Sequence, residues 1–417
     1  MKKLVLTALC AICLMSSFGQ VIDEFRGVGR TGVYTNETGL LKEWPAEGPE
    51  MIWSIEDIPI GHSSVSIAYD MIYFTGRRDT IAVLTALDMN GNIKWQTDFG
   101  RAWNAAFPNS RSTPTIENEK LYVSSGYGDL ACVNALNGEL IWQVPAMDKF
   151  EGNYGRWGIA ESLLILDDKV FFTTGGKKTT MVALNKLTGE TIWMSEPLDD
   201  KNSYASPIFI EKDEAKYIVN VTENYVIGVN AENGDITWKF SFGAFADKPY
   251  FANINCNSPV YADGKIFVTG GYNHKNVMLE LDKKKFDKVY FKWSDEVLDV
   301  HHGGTVKIGD YVYGTNWENN GMGRWVCMDW NTGETMYETE WFNKGSIISA
   351  EGLLYCYEEK FGNLGIAKAT PEGFNIISSF KVPLGSRGPY WTHPVIRDGI
   401  LYVRHGDALM AYDIREK

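Results

Sequence analysis

Cysteine is scarce in this 417-residue chain, and the six present are poorly placed for chemistry. Cys10 and Cys13 fall in the apolar N-terminal stretch. The other four, Cys132, Cys256, Cys327 and Cys356, contain no C-x-x-C pair, which argues against a thiolate metal site. Basic charge is also in short supply. The formal net charge is −13, and no basic stripe of the kind that tracks a phosphate backbone can be drawn, so a nucleic-acid partner is not expected. After residue 15 no apolar run is long enough to span a bilayer as a helix. Gly126-Tyr-Gly128 and Gly175-Gly176 follow strands but open no helix, which excludes a dinucleotide loop. Asp88-Met-Asn-Gly-Asn92 has the composition of a calcium loop without its spacing or its distal glutamate. There is no G-x-S-x-G elbow for a serine hydrolase.

What the chain does have is a hairpin that returns. Asp88-Met-Asn-Gly91-Asn-Ile-Lys-Trp95 comes back as Asn134 to Trp142, Asn185 to Trp193 and Asn230 to Trp238. Each copy places tryptophan four residues after a turn glycine, and the copies recur roughly every 45 residues, the period of a propeller blade. A unit of that size cannot bury its own apolar faces, so the chain has to be read as an array. Fourteen Trp, 21 Tyr and 20 Phe supply bulk for packing between such units. A second kind of hairpin precedes each copy: a small polar residue, a β-branched strand, an Asp/Asn/Glu-Gly turn and another strand. Eight of these can be counted, beginning near Ser64, Ser112, Ser162, Ser206, Ser258, Gly304, Ser346 and His393. In the later units Phe291, Tyr337 and Ile377 are expected to hold the tryptophan position. The eighth unit stops after Ala408–Asp413, and Gly48-Pro-Glu-Met-Ile-Trp53 reads as its missing outer strand. Pairing the two closes a ring with no open edge. The expected fold is all-β: an eight-bladed β-propeller of four-stranded antiparallel blades, the last blade closed by the N-terminal strand.

The N-terminus carries the pattern of a secretory signal: Lys2 and Lys3, an apolar core from Leu4 to Met15, then Ser17-Phe-Gly19 before a cut ahead of Gln20. The expected organisation is a signal peptide over 1–19 and one propeller domain over 20–417, periplasmic or secreted and monomeric. Neither Cys10 nor Cys13 has a convincing lipoprotein context. The compartment permits disulfides, but three of the four remaining cysteines sit in expected strands, where a small buried thiol is the simpler reading.

In a propeller the residues just before each first hairpin converge on one mouth of the central channel. Here they are His62, Arg111, Glu161, Tyr204, Asn255 and Asn257, His301 and His302, Lys344 and His393, with Trp157 close by. Four of the six histidines fall at these positions. The set is far more polar than the strands it precedes, which fits either a ligand funnel or a wet rim that satisfies exposed strand ends. His301-His302 offers a base, an oxyanion partner or metal ligands. On an extended strand only one of two adjacent side chains faces the channel. Arg111 either pairs with Glu161 across neighbouring blades or grips a carboxylate, sulfate or phosphate. Lys344 is a clamp or a solvated charge. Tyr204 and Trp157 are packing, or a platform for a ring.

The pattern A-x-D/N-x-x-T/N-G-x-x-x-W, best seen in Ala183 to Trp193, resembles the tryptophan-docking repeat of the quinoprotein (PQQ-like) propeller superfamily. A closer likeness is to secreted BamB-like, PQQ-binding-like repeat proteins, carried by Arg111-Ser-Thr-Pro114, Trp157 to Ser162, His301-His-Gly-Gly304, Gly309 to Gly314 and Lys344-Gly-Ser346. The superfamily includes both dehydrogenases and the outer-membrane assembly scaffold BamB, so the resemblance implies a fold more than a chemistry. The leading expectation is a binding or scaffold module, taking a small-molecule, carbohydrate or envelope-protein ligand at the funnel, with no cofactor assigned. The resemblance also implies an alternative, a PQQ- and calcium-dependent alcohol or sugar dehydrogenase. In that case Glu161, Asn255 (or Asn257) and Asp299 would hold Ca²⁺ and Lys344 would lie near the quinone. The chain lacks the adjacent-cysteine disulfide and the haem motif C-x-x-C-H found in many such enzymes. A third expectation is a polysaccharide lyase or hydrolase with His301, His302, Tyr204 and Arg111 as catalytic candidates.

Overall fold

In the computed structural model the described residues are 22–212, 215–246, 254–284, 287–386 and 388–417. The expected cut before Gln20 and the apolar N-terminal run lie outside them. Eight antiparallel four-stranded sheets follow one another around a ring. We number them as blades 1 to 8: residues 66–101, 115–145, 164–194, 208–241, 260–295, 306–339, 345–381 and 395–413. Blade 8 is completed by Glu50–Ile55, whose Trp53 pairs with Ala411. Among the described residues no helix is long and apolar enough to cross a membrane.

The recurring tryptophan is explained by a bulge. In every blade the outermost strand carries one extra residue just before the docking position, a local insertion that twists the strand. In blade 1 Ala86 faces Trp95 while Leu87 faces Ile93. In blade 2 the register jumps from Leu140 to Trp142. The extra residue is thrown outward, as with Ile141 and Ile192, which are exposed. The tryptophan turns inward onto the next blade, where its ring lies on the turn glycine. A Cβ on Gly138 would come within 2.7 Å of the Trp95 ring, and one on Gly234 within 2.5 Å of Trp193. Both glycines also hold a positive φ, 76° and 82°, so the position excludes a side chain on two grounds. Trp142 and Trp193 additionally donate their indole N–H to Lys186 O at 3.0 Å and Ala231 O at 3.1 Å on the following blade.

The same register corrects two expected positions. In blade 5 the residue after the bulge is Trp293, opposite Met278, and Phe291 lies before it. In blade 7 it is Ser378, opposite Ile366, and Ile377 is the bulged residue. Tyr337 does hold the position in blade 6, opposite Cys327. Counting four residues from the turn, from Asp287 in blade 5 and from Gly373 in blade 7, fails because the bulge and not the turn sets which side chain faces inward. Trp44 packs near the blade 7 gap, its ring 5.3 Å from Phe380, and its backbone N–H donates to Ser378 Oγ at 2.8 Å.

A feature not foreseen from sequence is a plug. Ile22–Asp23 adds a fifth strand to the innermost edge of blade 2, with Ile22 opposite Glu117. The following residues cross the axis of the ring. Asp23 accepts from Ile67 N at 2.6 Å and from Arg397 at 2.9 Å, reaching blades 1 and 8. Arg30 donates to Ser162 O at 2.8 Å and Leu163 O at 2.7 Å beside blade 3. Arg26 donates to Thr305 O at 2.6 Å and Ile347 O at 3.1 Å beside blades 6 and 7. All three are buried. The inner strands of a ring leave carbonyls pointing into the axis, and these arginines satisfy them.

Candidate functional site

Above the plug the axis opens into a chamber of about 530 Å³. Phe25 of the plug forms part of its lining, with its ring 5.2 Å from that of His393. Its walls bring together His62, Arg111, Trp157, Tyr204, His301, His302 and His393. Glu161, Asn255, Asn257 and Lys344 do not line it. Strand alternation accounts for the difference, since neighbours in an extended segment face opposite ways. Ala160 and Ser162 line the chamber while Glu161 between them does not, and Cys256 lines it while Asn255 and Asn257 on either side do not. His301 and His302 both line it because they sit in a bend and not on an extended strand. Their ring centroids are 3.3 Å apart.

The residues behind the wall bond to backbone. Glu161 accepts from Thr173 N at 3.1 Å, and burial pushes its carboxyl up to about 8. Asn255 donates to Thr222 O at 2.8 Å. Asn257 donates to Val300 O at 2.7 Å and accepts from Gly304 N at 3.1 Å, fixing the bend that carries the two histidines. Asp299 accepts from Asn273 N and Trp317 N, both at 2.9 Å, and burial raises it to about 7. Glu161, Asn255 and Asp299 are thus tied to three different stretches of backbone, and none of them lines the chamber. They do not converge on the chamber, where a quinone and its calcium would have to sit, so these residues do not fit that group.

Arg111 and Glu161 do not pair. The Arg111 guanidinium donates to Trp157 O at 2.6 Å and to Phe107 O at 2.5 Å. Among the described residues it has no carboxylate partner within ion-pair range. Burial holds it below its ordinary value. Lys344 is neither solvated nor at the chamber surface. Its buried ammonium sits 2.9 Å from Glu359 Oε1 and donates to Asn319 O at 2.8 Å. Tyr204 stands 5.7 Å from Trp157, ring to ring, and its hydroxyl accepts from Trp157 N at 3.3 Å. His393 is saturated: Nδ1 lies 2.7 Å from Arg26 Nη1 and Nε2 lies 3.0 Å from His302 O. Because arginine can only donate, Nδ1 accepts and Nε2–H donates, so this histidine is neutral. Burial and Arg26 push it down to about 3. His62 is likewise pushed down to about 3, by burial first and Arg111 next.

Sequence reasoning missed Glu359 and Tyr272, which line the chamber, together with Phe25 and Phe107. Glu359 follows the second strand of blade 7, and Tyr272 lies in the turn after the second strand of blade 5. Both lie outside the segments that precede the first strands. A run of Glu358-Glu359-Lys360 closing an otherwise apolar strand is the signal that was available. All four cysteines of the described chain are free thiols. Cys256 lines the chamber, and burial pushes its thiol up to about 12.

A family model described as outer membrane protein assembly factor BamB matches residues 77–339. Among curated proteins, quinoprotein alcohol dehydrogenase PedH of Pseudomonas putida is 29% identical over 137 residues, 31% of this chain and 22% of PedH. An uncharacterised protein of Rickettsia prowazekii is 25% identical over 169 residues, 38% of this chain and 37% of that protein. The chain therefore spans well under two thirds of the length of these relatives. Among solved structures, BamB from Moraxella catarrhalis superposes with a TM-score of 0.64 at 15% identity, covering 88% of this chain and 99% of that one. A europium-containing methanol dehydrogenase gives a TM-score of 0.54 at 12% identity, covering 91% and 88%. At these identities the likeness is one of fold.

Proposed function

Because the chain belongs to the PQQ-like repeat family described by outer membrane protein assembly factor BamB, we propose that it is a binding module of the cell envelope whose ligand is a small, ring-bearing organic anion held in the axial chamber. The observation that carries this reading is Arg111. A guanidinium at the chamber wall, with backbone carbonyls for partners and no carboxylate in ion-pair range among the described residues, has its charge uncompensated, and an anionic ligand would complete it. Trp157, Tyr204, Tyr272 and Trp391 around it supply flat apolar faces for a ring. The chamber volume falls within the roughly 300–1,000 Å³ usual for small-molecule sites. Aromatic carboxylates, uronic acids and carboxylated quinones share this chemistry. The N-terminal signal pattern supports a periplasmic or secreted location.

The test is calorimetry with the wild-type protein and Arg111→Gln, against an aromatic carboxylate series, uronate oligosaccharides and PQQ with and without Ca²⁺. Binding by one of these classes, weakened at least about tenfold in Arg111→Gln, is the expected result. Absence of binding to all three classes, or binding indifferent to Arg111, would overturn it. A second reading, a protein-docking scaffold, draws on the overlay with BamB across nearly the whole of that structure. Specific capture of envelope proteins by a variant with a blocked chamber would favour it.

A further inference from the structure

One corner of the chamber holds a group of side chains that the anion reading leaves unused. His301, His302 and Glu359 each bring one ligand-type atom to within 4.8 Å of the others. His301 Nδ1 lies 3.5 Å and His302 Nδ1 3.9 Å from Glu359 Oε2. Both separations are longer than a good hydrogen bond, and among the described residues neither Nδ1 has a hydrogen-bond partner although both are shielded from solvent. His301 as a whole is 5% exposed. Buried nitrogens of this kind are costly unless something completes them. Ligands bound tetrahedrally at about 2.1 Å stand about 3.4 Å apart, which is close to the spacing seen here.

We propose that His301 Nδ1, His302 Nδ1 and Glu359 Oε2 form a three-ligand site for a divalent cation of the zinc class, with its remaining position open to the chamber. Two imidazoles and a carboxylate suit Zn²⁺ in an open site. The surroundings match what such a site needs around its ligands. The Tyr272 hydroxyl lies 2.8 Å from His301 Nε2. A proton on that nitrogen leaves the Nδ1 lone pair available as a metal ligand. Lys344 holds Glu359 Oε1 at 2.9 Å and Trp391 Nε1 donates to Oε2 at 3.2 Å, which fixes the carboxylate while leaving Oε2 a lone pair. The open position faces the same space as Arg111, so an anion bound there would meet both.

The experiment is a titration of tag-free, chelator-treated protein with Zn²⁺ by calorimetry, and with Co²⁺ by visible absorption, without any organic ligand. One equivalent is expected, with the intense Co²⁺ absorption of a low-coordinate site. His302→Gln, whose side chain is the most exposed of the three, should weaken binding at least about 100-fold, and Tyr272→Phe about 10- to 100-fold, with circular dichroism unchanged. Substoichiometric binding by the wild-type protein, or full binding by His302→Gln, would overturn the site. Because no anion is present, failure here leaves the Arg111 reading standing, and the reverse also holds.

Discussion

Arg26 Nη1 lies 2.7 Å from His393 Nδ1, joining the N-terminal plug to the last blade across 367 positions of sequence. The same guanidinium serves Thr305 O and Ile347 O, so one side chain ties blades 6, 7 and 8 to the axis.

Removing it should therefore be expensive. Arg26→Ala leaves buried carbonyls without donors, at about 1–3 kcal/mol each, and a total loss of about 3 kcal/mol or more is expected in urea denaturation. Arg26→Lys should recover little, because an ammonium cannot reproduce the planar fork. Full recovery by lysine would show that charge alone, and not the fork, holds the plug.

Two adjacent residues separate docking from display. Trp142→Ala should cost about 3–5 kcal/mol, since the ring fills the seam against Gly189. Ile141→Thr, at the bulge and 40% exposed, should stay within about 0.5 kcal/mol. Equal losses would remove the bulge from the account of blade docking.

Glu161 gives a pH signature. Its ordinary value is 4.5 and its folded value about 8. Between them the folded protein keeps a proton that the unfolded chain has released. The contribution is therefore complete below pH 4.5 and is lost as pH rises through 8, by up to about tenfold in the folding constant per unit. Glu161→Gln should gain on the wild-type protein from pH 5 to pH 8 in paired denaturation curves. Parallel curves would contradict a protonated Glu161. His62 and His393 act in the opposite sense, their contribution being complete above 6.5 and lost as pH falls towards about 3.

The thiols offer a simple count. Denatured protein should expose Cys132, Cys256, Cys327 and Cys356 to a thiol reagent with no prior reduction. In the folded state at pH 8 all four should react slowly. Burial pushes the Cys132, Cys256 and Cys327 thiols up to about 12 and the Cys356 thiol well above its ordinary value, leaving little thiolate. Fast labelling of Cys132, Cys327 or Cys356, all three buried, would contradict this packing.

Much of the ring was legible in the chain because blade docking is a local device. Gly189 and Trp193 lie four apart, so glycine, bulge and indole recur as a readable unit, and Trp53 could be matched to a blade lacking its outer strand. Before Trp293 the count slips although the bulge persists. The approach to the axis was legible for the same reason: every first hairpin is preceded by a polar segment. Which member of each segment reaches the chamber was not, because alternation sends Cys256 in and Asn255 out, and a bend at His301-His302 overrides alternation altogether.

The sequence by itself therefore determined the architecture: eight repeats, their order, and the strand that closes the ring. The tertiary structure alone decided the site. Phe25 from the plug, Glu359 just after a second strand, Tyr272 from a turn and the paired histidines come from separate parts of the chain. They meet only because the ring converges, and no local spacing encodes convergence across blades.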